Sequence, residues 1–148
     1  MAFGKILSGM EISASGLTGE RLRMEIAANN IANIDSTMTP EGGPYQRKQV
    51  TFAAAMENAM GGGANEVGDL CGVEVVGITA DTTPGPSVHN PSHPHADANG
   101  YVKMPNVNIS HEMVDLVTAS RAYEANLKSL ETFRQMAEQS LSLLRGLR

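Results

Sequence analysis

Apolar residues recur at a fixed interval toward both ends of this chain. Phe3, Met10, Leu17, Met24 and Ile31 stand seven apart, with Leu7, Ala14 and Ala28 in the intervening row and Arg21 as its polar exception. A strict seven-residue repeat keeps one face toward a partner only when helices wind around each other. The spacing therefore predicts a coiled-coil-like helix within residues 1–36. Asn33 suits its end, because asparagine tolerates the left-handed conformation found after a last turn.

The second segment, 106–148, repeats the pattern. Ile109, Leu116, Tyr123, Leu130, Ala137 and Leu144 are seven apart, with Met113, Leu127 and Leu141 between them and Ser120 and Arg134 interrupting that second row. Asn108 or Ser110 can cap the helix start. Glu112 and Asp115 complement its positive end, and Arg145 and Arg148 its negative end. Glu124 and Lys128 are placed for an i,i+4 ion pair.

Helix breakers lie between these segments. All seven prolines fall between Pro40 and Pro105, as do ten of the fifteen glycines, so long helices are excluded from residues 37–105. Tyr45 to Phe52, Val73 to Ile78 and Tyr101 to Met104 read as short strands, with turns at Gly42-Gly43-Pro44 and Asn99-Gly100. Met60 to Asn65 reads as a flexible loop, and Pro84 to Pro94 as too proline-rich for regular structure. The fold class is mainly α, with two long helices pairing as a coiled-coil-like bundle around a small β-rich or irregular insert.

Length makes the apolar rows informative. At about 1.5 Å per residue the helices would run roughly 40 and 55 Å, against a radius of gyration of about 15 Å for a compact chain of this size. Two helices cannot enclose their own stripes. Gly4, Gly9, Gly16 and Gly19 weaken the first helix further, by about 1 kcal/mol each relative to Ala. Self-association is the economical reading.

Composition narrows the chemistry. Eleven basic against sixteen acidic residues leave a net charge of −5, which argues against a nucleic-acid groove. A single cysteine, Cys71, excludes an internal disulfide, a Cys-based zinc site and a CxxC redox pair. No apolar run reaches the roughly 18–20 residues needed to cross a bilayer, and Glu11 interrupts the short N-terminal apolar stretch where a secretory signal would continue.

His89, His93, His95 and Asp97 form the one ligand-like cluster. Pro91 and Pro94 fix the backbone between them and no second liganding segment is evident, so solvated loop histidines are the plainer reading. Gly85-Pro86-Ser87-Val88-His89 lacks the final glycine of a nucleophile elbow. Gly61-Gly62-Gly63 lacks the Lys-Ser/Thr ending of a phosphate loop. The expectation is a non-enzymatic chain with no cofactor. A His-loop metal-binding protein and a cytoplasmic coiled-coil adaptor are the alternatives.

Ala27-Ala28-Asn29-Asn30-Ile31-Ala32-Asn33, preceded by Ser15-Gly16-Leu17-Thr18, Arg21-Leu22 and Met24, resembles the signature of the bacterial flagellar axial proteins, the rod and hook family. Residues 39–45, 97–108, 112–115 and 119–126 are similar to its proximal-rod members. The resemblance implies a structural rod subunit that spans the periplasm, transmits motor torque and packs its terminal helices into a tube. It implies itself and other rod subunits as partners, and passage through the flagellar type III export apparatus without a cleaved signal peptide. It implies neither nucleic-acid binding nor direct membrane insertion. On this reading Met10, Leu17, Met24, Ile31, Ile109, Met113, Leu116, Tyr123, Leu127, Leu130, Leu141 and Leu144 pack between subunits. Asn29, Asn30 and Asn33 supply polar register across subunit boundaries, while Phe3 and Leu7 resemble an export-gate recognition motif.

Overall fold

In the computed structural model, which describes residues 2–56 and 70–146 and the side chains of 8–55 and 72–143, two helices flank a β insert. Helix α1 spans Ala2–Ala32 and α2 spans Ile109–Gly146. Between them lie β1 (Lys48–Met56), β2 (Leu70–Ala80), β3 (Ser87–His89) and β4 (Tyr101–Lys103). β1 pairs with β2, and β3 with β4. The second pair is antiparallel, with Val88 opposite Val102. The Asp81 N–H donates to the Arg47 carbonyl (2.7 Å), joining the end of β2 to the start of β1 in the antiparallel sense. The Met60–Asn65 loop expectation, the side chains of Phe3, Leu7, Leu144 and Arg145, and Arg148 lie outside the described residues.

Several boundaries differ from the sequence expectation. β1 starts at Lys48 rather than Tyr45, because the Tyr45 ring is drawn into the protein (7% exposed). Pro84–Pro94 does contain regular structure: Ser87–His89 is free of proline and forms an edge strand, where flanking prolines remove no ladder bond. The Pro86 carbonyl even accepts the Met104 N–H (2.9 Å). Asn33 is not left-handed, since no described non-glycine residue has positive φ. The α1 end instead tightens into i→i−3 bonds, Asn33 N–H to Asn30 O (3.2 Å) and Ile34 N–H to Ile31 O (3.3 Å). At α2, Asn108 is the cap: its Oδ1 accepts the Ser110 N–H (3.0 Å) and the His111 N–H (3.4 Å). Lys128 donates to Glu131 (2.8 Å) rather than Glu124.

Contacts divide the chain into two compact units that cut across the three sequence segments. The first draws on Met1–Arg21, Phe52–Val76 and Ser120–Arg148. In it, glycines on α1 mark close approaches: a Cβ at Gly9 would stand 2.8 Å from the Phe133 ring, and one at Gly16 would stand 2.8 Å from the Asn126 amide. β2 meets α1 where the Val73 N–H donates to Ser15 Oγ (3.0 Å). Gly72, at φ +123°, permits this, because a Cβ there would collide with the same oxygen. The second unit comprises Leu22–Thr51 and Gly77–Ala119. It buries Ala27, Asn30, Tyr45, Val102, Glu112 and Ala119.

Within each unit the α1 and α2 segments run antiparallel: Gly9 and Gly16 meet Phe133 and Asn126 in one, and Arg23 and Asn30 meet Asp115 and Glu112 in the other. The facing positions on α1 are Gly9, Gly16, Arg23 and Asn30, seven apart but one position before the row Met10, Leu17, Met24 and Ile31. On α2, Glu112, Ala119, Asn126 and Phe133 likewise precede Met113, Ser120, Leu127 and Arg134 by one. One position is a rotation of about 100° around a helix. Apart from the Phe133 ring, the groups that meet there are glycines and polar side chains. Met10, Leu17, Met24, Ile31, Leu116, Tyr123 and Leu130 are half-buried, and Ile109, Met113, Leu127 and Leu141 are exposed.

Candidate functional site

The second unit contains a polar cluster built from both helices and the chain between them. Gly42 (φ +91°) and Gly43 (φ +80°) reverse the backbone after α1, and the turn is closed by the Thr39 N–H on the Gly43 carbonyl (2.9 Å). The returning strand places the Tyr45 N–H on the Ser36 carbonyl (2.9 Å), with Arg47 and Lys48 beside the helix end. The capped first turns of α2 present Glu112 and Asp115 to the same place.

Asn30 is the centre of the cluster and is 1% exposed. Its Nδ2 donates to Lys48 O (2.9 Å) and to Glu112 Oε2 (2.8 Å). Its Oδ1 accepts the Lys48 N–H (3.0 Å) and the Tyr45 hydroxyl (2.9 Å). A primary amide can make four hydrogen bonds, and here all four are made within the chain. Asn30 therefore has no donor or acceptor left for the cross-subunit register expected of it. Asn29 Oδ1 shares the Tyr45 hydroxyl (3.1 Å). Asn33 donates to the Asn29 carbonyl (2.9 Å) and accepts from Ser36 (3.1 Å).

Charge alternates outward from Glu112, which is also 1% exposed. Glu112 Oε1 accepts from Arg47 Nε (2.5 Å), the Arg47 guanidinium reaches Asp115 (3.3 Å), and the other Asp115 oxygen accepts from Arg23 (3.0 Å). Two guanidinium groups and two carboxylates leave the cluster neutral. A buried carboxylate is tolerated only when paired and hydrogen-bonded, and Glu112 has an arginine on one oxygen and an amide on the other. Burial, and then the nearby Glu112 charge, raise the Tyr45 hydroxyl above its ordinary value near 10. The Arg47 backbone is held as well: its N–H donates to Asn106 Oδ1 (2.7 Å), and Asn106 donates to the Asp81 carbonyl (2.9 Å). Asp81 itself sits below the usual carboxylate range, because its side chain accepts hydrogen bonds from Thr83. An open cleft of about 450 Å³ borders Arg47, Asp115 and His111.

With every carboxylate engaged, this cluster fastens the α1 end, the β1 start and the α2 start to one another. Sequence reasoning placed Tyr45 in a strand and Glu112 at the helix dipole, both within family-like segments, and gave neither of them, nor Arg47, a part in a buried cluster. The available signal was the second heptad row, one position before the apolar one, which carries Arg23, Asn30 and Glu112.

The three loop histidines do not gather around one point, although the His93 and His95 rings lie edge-on at 5.3 Å. His95 Nδ1 bonds Thr37 Oγ1 (2.8 Å), His93 Nδ1 accepts the His95 N–H (3.1 Å), and His89 packs edge-on to Tyr101 at 5.0 Å. Asp97 accepts the Asn99 and Tyr101 N–H groups (2.8 and 2.9 Å) and so closes the β3–β4 turn. Among the described residues, no group of three or more His, Cys, Asp or Glu side chains is arranged to hold a metal.

Known proteins place this architecture. Residues 10–38 match the family described as flagella basal body rod protein, and residues 98–143 match the family described as flagellar basal body rod FlgEFG protein C-terminal. The flagellar basal-body rod protein FlgC of Borreliella burgdorferi is 38% identical, over 95% of this chain and 99% of its own. FlgC of Escherichia coli O6:H1 is 41% identical, over 93% and 97%. FlgC of Bacillus subtilis is 37% identical, over 90% and 95%. The chain belongs to the FlgC family of flagellar basal-body rod proteins. Within this chain the first matched segment holds Arg23, Asn29, Asn30 and Asn33, and the second holds Glu112, Asp115 and Asn126. Tyr45, Arg47 and Lys48 come from between them.

Proposed function

We propose that this chain is a structural subunit of the bacterial flagellar basal-body rod, associating with other basal-body components through its terminal segments 1–36 and 106–148. Membership of the FlgC family supports the rod role. One structural observation supports the use of the helices: apart from the Phe133 ring, the groups that meet between them are glycines and polar side chains, while Met113, Leu127 and Leu141 remain 56%, 44% and 51% exposed. Exposed apolar positions kept on a heptad register suit coiled-coil-like packing against helices of neighbouring copies and of other rod subunits. Each such contact buries apolar surface worth roughly 25 cal/mol per Å², and many together would transmit motor torque. Asn29 and Asn33, on the outer side of Asn30, are the remaining candidates for polar register between subunits. Phe3 and Leu7 are proposed as the signal read by the type III export apparatus, which delivers the chain to the rod in the periplasm.

The test separates folding from assembly. Leu127→Asp and Leu141→Asp should leave the urea midpoint of the dilute monomer unchanged, yet abolish recovery of the chain in purified basal bodies. Normal incorporation of both variants would remove the packing role. Phe3→Ala should lower secretion, with incorporation of whatever is exported unaffected.

A further inference from the structure

Asn99-Gly100 turns the chain between the loop that follows β3 and the start of β4. The Gly100 N–H donates to the Asp97 carbonyl (2.9 Å), and the Asp97 N–H donates to the Tyr101 carbonyl (2.9 Å). Ala98 and Asn99 keep negative φ, while Gly100 stands at +78°. This is a type I turn followed by a left-handed residue, a common three-residue hairpin loop. Glycine is required at position 100 twice over. Its φ favours glycine, and a Cβ there would stand 3.0 Å from the Pro91 ring and 3.2 Å from His89 Nε2. The same glycine leaves its backbone nitrogen without a side chain to shield it, next to an exposed asparagine.

Asparagine is chemically labile in such a place. The Gly100 nitrogen, on losing its proton, can attack Asn99 Cγ. An N–Cγ bond forms, the Cγ–Nδ2 bond breaks, and ammonia leaves behind a five-membered succinimide. Water then opens the ring at either carbonyl, giving aspartate or isoaspartate with no change of oxidation state. Closure requires the Gly100 nitrogen to swing until it eclipses the Asn99 Cβ, and a type I turn holds it about 120° from there. We propose that Asn99 is a self-modification site of this chain, kept unreacted by Asp97. The Asp97 carbonyl holds the attacking N–H. The Asp97 side chain, through Oδ1, accepts the N–H groups of Asn99 (2.8 Å) and Tyr101 (2.9 Å) on either side of it. The Gly100 carbonyl is fixed as well, by the Asn90 N–H (2.8 Å). Rotation of the Asn99–Gly100 peptide breaks these bonds together, so the reaction waits on local opening. Isoaspartate carries the main chain through Cβ, which lengthens the loop and ends the turn between β3 and β4. Aspartate leaves the main chain unaltered and adds a charge close to Asp97. The site lies outside the Asn30–Glu112 cluster and does not depend on the rod reading.

Incubation of the full-length chain in mildly alkaline buffer tests it, followed by peptide mapping with electron-based fragmentation to separate isoaspartate from aspartate. In the guanidinium-unfolded chain Asn99 should convert, with isoaspartate among the products. In the folded chain conversion should be at least about tenfold slower, since it passes through a minor open state. Asp97→Ala in the folded chain should restore most of the unfolded rate, whereas Asp97→Asn, which keeps an Oδ1 acceptor, should stay protected. Equal rates in the folded and unfolded wild-type chain would overturn the protection, whether or not Asp97→Ala folds. An Asn99 that stays intact in the unfolded chain would overturn the site itself. Full protection in folded Asp97→Ala, or its loss in Asp97→Asn, would remove the role of the Asp97 side chain.

Discussion

The side-chain amide of Asn30 bonds both the N–H and the carbonyl of Lys48, at 3.0 and 2.9 Å. A side chain at the end of α1 thus presents to the start of β1 the pair of groups that a neighbouring strand would offer. Helix and strand are joined through the main chain of Lys48, and the remaining bonds of the amide secure Tyr45 and Glu112.

Asn30→Asp should destabilise the second unit by about 3 kcal/mol or more. It replaces a donor by a carboxylate oxygen 2.8 Å from Glu112, adding like-charge repulsion to an unpaired buried group. Urea unfolding of the variant, with the loss largest at neutral pH, is the measurement.

Glu112→Ala should cost about 3–5 kcal/mol, because it leaves Arg47 and the Asn30 amide without their buried acceptor. The double variant Arg47→Met with Glu112→Met should cost clearly less than the sum of its single changes. A double-mutant cycle on urea midpoints gives the coupling; additive losses would mean that the 2.5 Å contact carries no net interaction.

Alkaline unfolding should report Tyr45. Its folded-state value is raised by burial and by the Glu112 charge, so the folded form holds the proton more tightly than the unfolded chain. The resulting stability is fully present below the unfolded value near 10 and is lost as pH rises through the folded value. Tyr45→Phe should be less stable at neutral pH through its lost hydroxyl bonds, yet show a shallower decline above pH 10. Thermal melts across that range distinguish the two.

Two glycines should behave oppositely. A Cβ at Gly85 would collide with the Met104 carbonyl oxygen and stand 2.8 Å from the Pro105 carbonyl carbon, backbone atoms that cannot swing aside. Gly85→Ala should therefore cost about 2 kcal/mol or more. At Gly77, in β2, a Cβ would meet no atom within 4 Å, and Gly77→Ala should be neutral or stabilising by up to about 1 kcal/mol. Paired melting curves decide the matter.

Residue spacing by itself determined that there would be two long terminal helices, that the proline- and glycine-rich stretch would separate them, and that Asn108 could cap the second. Those features depend on local backbone restriction and on periodicity, which the linear order of residues carries. The turns at Gly42-Gly43 and Asn99-Gly100 were legible for the same reason, since only local conformation is involved. The choice of contacting face was not. The apolar rows through Leu17 and Leu127 were the strongest periodic signal, yet the helices meet through Gly9, Gly16, Arg23 and Asn30, where small side chains permit close approach and buried polar groups find complete sets of partners. Whether a carboxylate such as Glu112 can be buried depends on Arg47 and Asn30 arriving from 65 and 82 positions away. Only tertiary structure decides that, because desolvation of a charge is offset by partners whose positions no local rule specifies.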